Sequence, residues 1–331
     1  MSLLVLGAML CVGSGPVAAR GDDVCPEPND DQQAACYLGP NAEALGFISR
    51  PDDVDAYRIE VLDFNVEVRV ELAEKPHPYT VELVGWNGEL LASSETSPAG
   101  PDVIQSTAHL PGAYYIRVRS PSGAFSDIEP YVVFRELAYS GPSIPQLLYA
   151  SDFRAGQATG FAGSTDVAEH VEQDGRYTIA MSVGGTPADP TIGWAAWGPP
   201  LTDFMLTVDA RVVRGSDAGF QIFLRRADVA NSYVVTIDAS NGRAMLRRTV
   251  DDATTDTAWT VSSAIKTDGG INRCVVRAVG EEVRVNVNGA DLIRQTGPTT
   301  GAGRFGFGAI AWGEPPVVQF DNVLVTTPSE G

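Results

Sequence analysis

The C-terminal part of the chain consists of short segments in which apolar and polar residues alternate. These segments follow one another from Phe204 to Val325, and Gly, Asn or Asp bounds each of them. Alternation with a period of two is typical of β-strands with one buried face. No segment shows convincing helical periodicity. The pattern therefore predicts an antiparallel β-sandwich here.

The N-terminal part carries a second, shorter series of the same kind. From Val66 to Leu72 the apolar residues share one face and the charged residues the other. The pair Asn87-Gly88 is a strong hairpin signal, and a segment rich in Pro, Gly and Ser separates the two series. We therefore predict an all-β protein of two tandem antiparallel β-sandwiches, with the smaller over residues 25–137, a linker over 138–147 and the larger over 148–327.

The first residues resemble an export signal. Leu3 to Val12 form an apolar run, and Val17-Ala18-Ala19 offer the small residues at which a signal peptidase cuts. We expect residues 1–19 to be a signal peptide, and the protein to be secreted, extracellular or periplasmic. No basic residue precedes the apolar run, so an uncleaved anchor that keeps the protein at the cell surface is the alternative.

Export permits disulfides, and the cysteines suggest one. Cys25 and Cys36 flank a loop rich in Pro and Asp, which makes them the natural pair. Cys274 alternates with Val276 and Ala278 and is expected to be a free, buried thiol. The three histidines lie near no cysteine, so the spacing does not suggest zinc.

Charge and motifs exclude several functions. The net charge is -19 and the chain has only two lysines, which argues against a nucleic-acid partner. The sequence has no G-x-S-x-G, H-E-x-x-H, P-loop or dinucleotide fingerprint beside a helix. We therefore identify no catalytic residue and expect no organic cofactor.

Three motifs in the first unit resemble one family. They are Glu27-Pro28-Asn29-Asp30, Asp53-Val54-Asp55, and the segment from Leu110 to Val118. Together they resemble the bacterial pre-peptidase C-terminal domain, a module of exported proteins. The resemblance implies a small β-sandwich that serves as a stabilising or matrix-binding appendage.

The acidic residues of these motifs are candidate calcium ligands. Calcium takes six to eight oxygen ligands from carboxylates, amides and carbonyls, and some members of the family bind it there. The resemblance implies the ligands Glu27, Asn29, Asp30, Asp53 and Asp55. The alternative is that these residues only cap surface turns.

The second unit resembles a lectin-like family. Its ordered motifs include Tyr149–Phe153, Arg176–Ile179, Gly303–Gly308 and Phe320–Val325. They resemble the concanavalin A-like, laminin-G-like sandwich, and in particular domains similar to 3-keto-disaccharide hydrolases. The resemblance implies a jelly roll that binds carbohydrate. Asp152 and Asp321 are also expected to lie close together, where they could share a second calcium; the alternative is that Asp321 only starts a turn before the last strand.

The outward faces of the predicted strands supply a candidate sugar site. If Phe220 and Ile222 point to the core, the intervening residues point away. Planar aromatic and guanidinium groups stack on sugars, and amides bond their hydroxyls. The predicted ligand-binding residues are Gln221, Phe223, Arg225, Met245, Arg247, Arg284, Trp194 and Trp312. The alternative is that these arginines only cover the sheet and pair with nearby carboxylates.

We expect an exported bacterial protein that binds carbohydrate or another extracellular polymer without catalysis. Contact with a membrane is expected only if residues 1–19 stay uncleaved. One alternative is a glycoside-processing hydrolase with a pair of carboxylates. Another is a structural pair of modules of a membrane-anchored protein.

Overall fold

The computed structural model describes residues 25–39, 42–94, 100–154 and 159–329. All regular structure in these ranges is β-strand, arranged in two sandwiches of two sheets each. The predicted all-β fold of two tandem antiparallel sandwiches is confirmed. The predicted signal peptide lies outside the described residues. Within them no helix is long and apolar enough to cross a membrane.

The first sandwich has nine strands. Sheet A has the order β1-β3-β8-β5-β6 and sheet B the order β2-β9-β4-β7. The strands are β1 (Cys36–Tyr37), β2 (Glu43–Gly46), β3 (Val54–Val61), β4 (Val66–Ala73), β5 (Thr80–Val84), β6 (Leu90–Ser93), β7 (Asp102–Ala108), β8 (Gly112–Arg119) and β9 (Tyr131–Ala138).

The apolar residues that alternate with polar ones along the strands form the core of this sandwich. Val68 and Val70 of sheet B and Ile59 and Ile116 of sheet A are fully buried between the sheets. Gly88 has a φ of 82° in the turn between β5 and β6, as the Asn-Gly pair predicts.

The second sandwich has sixteen strands. Sheet C has the order β11-β12-β13-β25-β15-β21-β22-β23, with β10 paired to β25; sheet D has the order β14-β24-β16-β17-β18-β19, with β20 paired to β18. The strands are β10 (Leu147–Ser151), β11 (Gly163–Ser164), β12 (Ala168–Gln173), β13 (Arg176–Met181), β14 (Thr191–Leu201), β15 (Phe204–Arg214), β16 (Ala218–Arg226), β17 (Ser232–Asp238), β18 (Arg243–Val250), β19 (Ala253–Asp256), β20 (Thr260–Val261), β21 (Asn272–Val279), β22 (Glu282–Val287), β23 (Ala290–Thr296), β24 (Gly303–Ala311) and β25 (Val317–Thr326).

Aromatic and β-branched side chains fill the second core. Phe307 of sheet D stacks on Phe320 of sheet C with 4.8 Å between ring centres. Cys274 is a free thiol buried in this core, as predicted. Burial raises its pKa far above the ordinary thiol value, so the group stays protonated and packs as a small apolar side chain.

The first sandwich packs on the outer face of sheet C through polar contacts. Arg273 is fully buried and makes two bonds of 2.8 Å to Asp209. Its guanidinium lies 4.6 Å from the ring of Trp86 in the first sandwich. From the first sandwich, Arg58 of β3 donates to the side-chain oxygen of Asn322 in the second sandwich at 2.6 Å. Sheet D is therefore the sheet whose outer face lies away from this contact.

Candidate binding sites

The outer face of sheet D carries two rows of side chains that cross five strands. The strand registers place the members of each row opposite one another. The rows are Trp194, Gly308, Gln221, Thr236 and Met245, and then Ala196, Gly306, Phe223, Val234 and Arg247.

An aromatic platform stands at one side of these rows. A side chain at Gly308 would meet Phe223 at 3.0 Å and Trp194 at 3.2 Å. The glycine therefore lets the two rings meet above β24, 5.3 Å apart. The Arg226 guanidinium lies 4.1 Å from the Trp194 ring, and Trp194 keeps 38% of its surface exposed. We call Trp194, Phe223 and Arg226 the platform.

Gln221 lies beside the platform with an unused acceptor. Its side chain is buried, and its amide nitrogen donates to the Thr236 hydroxyl at 3.1 Å. Its carboxamide oxygen has no hydrogen-bond partner among the described residues. An unsatisfied buried acceptor costs about 1–3 kcal/mol.

Met245 and Arg247 form the β18 end of the two rows, and Trp312 lies outside them. Met245 is half-buried, and the exposed Arg247 makes two bonds of 2.8 Å to Asp256. Trp312 packs against Trp259 at 6.2 Å, and Trp259 in turn lies under the guanidinium of Arg243. These residues form a second aromatic patch of sheet D.

The prediction that Arg225 points outward is wrong. The register between β16 and β24 shifts between Phe223 and Arg226, and Arg225 has a φ of 46°. This bulge turns its guanidinium into the protein, where it donates to the backbone oxygens of Thr202 and Gly280. Arg226 takes the outward place, and simple alternation missed it because a bulge resets the period.

The prediction that Arg284 shares a face with Gln221 is also wrong. Arg284 lies on β22 of sheet C and pairs with Glu282 at 2.6 Å. Alternation assigns a residue to one face of its strand, but it does not tell which sheet the strand joins.

The predicted calcium ligands do gather around the loop before β3. Carboxylate oxygens of Glu27, Asp30 and Asp53 lie within 4.8 Å of one another. Side-chain oxygens of Asn29 and Asp53 are buried without a hydrogen-bond partner among the described residues. Burial first, and then the charge of Asp53, raise the pKa of Glu27. Buried oxygens without hydrogen-bond donors and mutually repelling carboxylates are a donor set that fits Ca²⁺.

Two neighbours complete this cluster. Asp55 accepts from the Asn29 amide at 2.9 Å and from the Tyr131 hydroxyl, so it holds Asn29 in place. Arg50 donates to Asp30 at 2.8 Å and lies 3.6 Å from Asp53. A bound cation would therefore compete with the charge of Arg50.

Asp152 and Asp321 line one cavity between the sandwiches. Arg58 and Arg154 both pair with Asp152, at 3.4 and 2.9 Å. This set of donors does not fit calcium, because guanidinium groups occupy the carboxylate.

Solved structures of low identity share parts of this fold. A carbohydrate-binding module, CBM66, from Bacillus subtilis is 16% identical, with 56% of this chain and 100% of that chain covered and a TM-score of 0.34. The laminarinase catalytic domain from Thermotoga maritima is 8% identical over 57% and 100%, with a TM-score of 0.43. The pre-peptidase C-terminal domain of a collagenase from Bacillus anthracis is 19% identical over 31% and 94%, with a TM-score of 0.26.

A search of the curated proteins found no match. The model of one family, however, covers residues 152–326, which is more than half of the chain and nearly all of the second sandwich. The chain therefore belongs to the family of the 3-keto-alpha-glucoside-1,2-lyase-like domain.

Proposed function

We propose that the protein is an exported bacterial protein that binds carbohydrate, without catalysis, on the outer face of sheet D. Membership of a family named for a glucoside lyase supports a sugar as the ligand. A disulfide between Cys25 and Cys36 supports an oxidising compartment outside the cytoplasm.

The observation that carries the proposal is the exposed ring of Trp194, which lies beside Phe223 and against the guanidinium of Arg226. A sugar ring packs on an aromatic ring through its C–H groups, while its hydroxyls require hydrogen-bond partners. Trp194 supplies the apolar surface and Arg226 supplies donors. The second row continues on β19 with Asp256, whose carboxylate is held by Arg247.

Co-sedimentation with insoluble polysaccharides and a glycan array test this function. We expect the protein to be retained, and Trp194→Ala to weaken retention about tenfold or more, because a central aromatic anchor contributes at least about 1.4 kcal/mol. Phe125→Ala, which removes an exposed aromatic ring from the first sandwich, is the matched control. Failure to bind any glycan would overturn the proposal.

The family name also favours a second candidate, an enzyme that processes glycosides. Turnover of aryl glycosides or 3-keto-disaccharides by the purified chain would support it. In that case Trp194→Ala would change the rate as well as the retention.

We further propose that the first sandwich is a pre-peptidase C-terminal type module that binds Ca²⁺ through Glu27, Asn29, Asp30 and Asp53. The buried oxygens of Asn29 and Asp53 that lack a hydrogen-bond donor support this ligand set, and Asp55 positions Asn29.

The melting temperature tests the calcium site. We expect it to be higher in millimolar Ca²⁺ than in excess EDTA, because a ligand that binds only the folded state stabilises it. Asp53→Asn should abolish the difference. The exposed neighbour Asp52 offers a control, and Asp52→Asn should keep the difference. Equal melting temperatures in Ca²⁺ and EDTA would refute the site.

A further inference from the structure

A cavity of about 100 Å³ lies between the two sandwiches. Sheet C provides its floor with Asp209, Arg211, Gln319 and Asp321, and the first sandwich covers it with Trp86 and Tyr115. This cavity is separate from the outer face of sheet D, because its floor is sheet C, the other sheet of the second sandwich.

Two arginines of this cavity form no ion pair within 4 Å among the described residues, and Asp321 is the carboxylate that attracts both. The side chain of Arg176 makes no hydrogen bond or ion pair within the described part of the chain, and Arg211 donates twice to Gln319, at 3.0 and 2.7 Å, but to no carboxylate. Burial, and then the charge of Arg176, lower the pKa of Arg211. The two cations therefore disfavour each other, and a bound anion would relieve this.

The two carboxylates of the floor are used differently. Asp209 is occupied by Arg273 and by the Asn322 amide at 2.9 Å. Asp321, its direct neighbour across β15 and β25, accepts only the backbone N–H of Asn322 among the described residues. Burial, and then the charge of Asp209, raise the pKa of Asp321 to about 7.

The charged and titratable groups that face Asp321 come from every surrounding element. They are Asp209, Arg211, Arg176, Arg58 and Tyr115, together with Asp152 and Arg154, which line the same cavity. Since Asp321 can hold or release its proton near neutral pH, it can donate to a ligand oxygen or accept from a ligand hydroxyl.

We infer that this cavity binds a sugar acid, with the carboxylate of the ligand on Arg176 and Arg211 and a hydroxyl on Asp321. A neutral sugar would add no negative charge beside the two guanidinium groups, and an anion without a hydroxyl, such as chloride, would leave Asp321 without a hydroxyl partner. The bound carboxylate adds negative charge beside Asp321 and so favours its protonated form. Binding is therefore accompanied by proton uptake near pH 7.

Isothermal titration calorimetry of the full chain with D-glucuronate and D-galacturonate tests the inference. At least one of them should bind, and Arg176→Gln should weaken it about tenfold or more, because a charge-assisted hydrogen bond is lost. Arg294→Gln, at an arginine of β23 that is 68% exposed, should not. Affinity should fall as the pH rises from 6 to 8, and Asp321→Asn should remove that dependence.

Several results would overturn the inference. They are absence of binding of both uronates, D-glucose binding as tightly as the better uronate, inorganic phosphate binding as tightly, or equal affinities of Arg176→Gln and Arg294→Gln. Because Trp194→Ala should leave uronate binding unchanged, the outcome is independent of the glycan test on sheet D.

Discussion

Arg273 joins the two sandwiches, and the residues around it match its size and charge. Asp209 neutralises it, and its Nη1 lies 3.4 Å from the backbone oxygens of Pro111 and Ala113. Gly112 has a φ of 124°, and a Cβ there would lie 2.8 Å from the guanidinium carbon. Glycine is therefore required at position 112 for both conformation and space.

Gly112→Ala should destabilise the protein by about 2–4 kcal/mol. The strain of a positive φ costs roughly 1 kcal/mol and the collision with Arg273 about 1–3 more. Gly88→Ala is the control, because Gly88 also has a positive φ but faces open space. Urea unfolding measures both variants. If Gly112→Ala and Gly88→Ala lowered the free energy of unfolding equally, Arg273 would move away from the new methyl group without an energetic cost.

Arg225→Gln should lower stability rather than ligand affinity. The change leaves the backbone oxygens of Thr202 and Gly280 buried without a hydrogen-bond donor, which lowers the free energy of unfolding by about 2–4 kcal/mol. Arg247→Gln, which breaks a surface ion pair, should cost less than about 1 kcal/mol. Urea midpoints and polysaccharide retention separate the two effects. A stable Arg225→Gln variant that no longer binds glycan would restore the predicted binding role of Arg225.

At the scale of the strand, alternation predicts which residues are buried but not how strands assemble. Phe220 and Ile222 point into the core as their spacing predicts. The bulge at Arg225 leaves no periodic signal, because it depends on pairing with β24. Likewise, no local pattern joins Arg58 to Asn322, 264 residues away. The sequence therefore could not predict the cavity between the sandwiches. It did predict that Glu27, Asp30 and Asp53 form an acidic cluster, because short motifs carry these residues.

The segment that carries Asn29 and Asp30 depends on the disulfide that closes it into a loop. The bond between Cys25 and Cys36 spans the segment with Asn29 and Asp30. Replacing both cysteines by serine should lower the free energy of unfolding by roughly 3 kcal/mol, because the unfolded chain regains loop freedom. It should also reduce the stabilisation by Ca²⁺.

Cys274→Ala is the control for this prediction, since it removes a buried thiol that closes no loop. Thermal unfolding with and without Ca²⁺ measures both variants. If the double serine variant retained the full response to Ca²⁺, the disulfide would not organise the cluster.

In the whole molecule, the two faces of the second sandwich have different surroundings. Sheet C carries Asp209, Asp321 and Arg273 against the first sandwich. Sheet D presents the platform away from that contact. The chain can therefore hold one ligand on sheet D and another between the sandwiches without overlap. Only the second site requires both sandwiches.

The buried carboxyl of Asp321 should make stability depend on pH. Its pKa is about 7 in the folded protein and about 3.9 in an unfolded chain. Between these values the folded protein holds the extra proton, so stability is highest at low pH and falls as the pH rises towards 7. Asp321→Asn should therefore be more stable than the natural chain at pH 8, by about 4 kcal/mol, and this gain should vanish at pH 4. Urea unfolding at the two pH values measures the effect.

Asp256 provides a control of opposite sign. The hydrogen bond from Arg247 lowers its pKa, so its stabilisation is present above pH 4 and is lost as the pH falls through the lowered value. Asp256→Asn should therefore be slightly less stable than the natural chain at pH 8. If Asp321→Asn also lost stability at pH 8, the attraction of Arg58 and Arg176 would outweigh burial and the repulsion of Asp209. Asp321 would then be a charged residue at neutral pH that helps to hold the two sandwiches together.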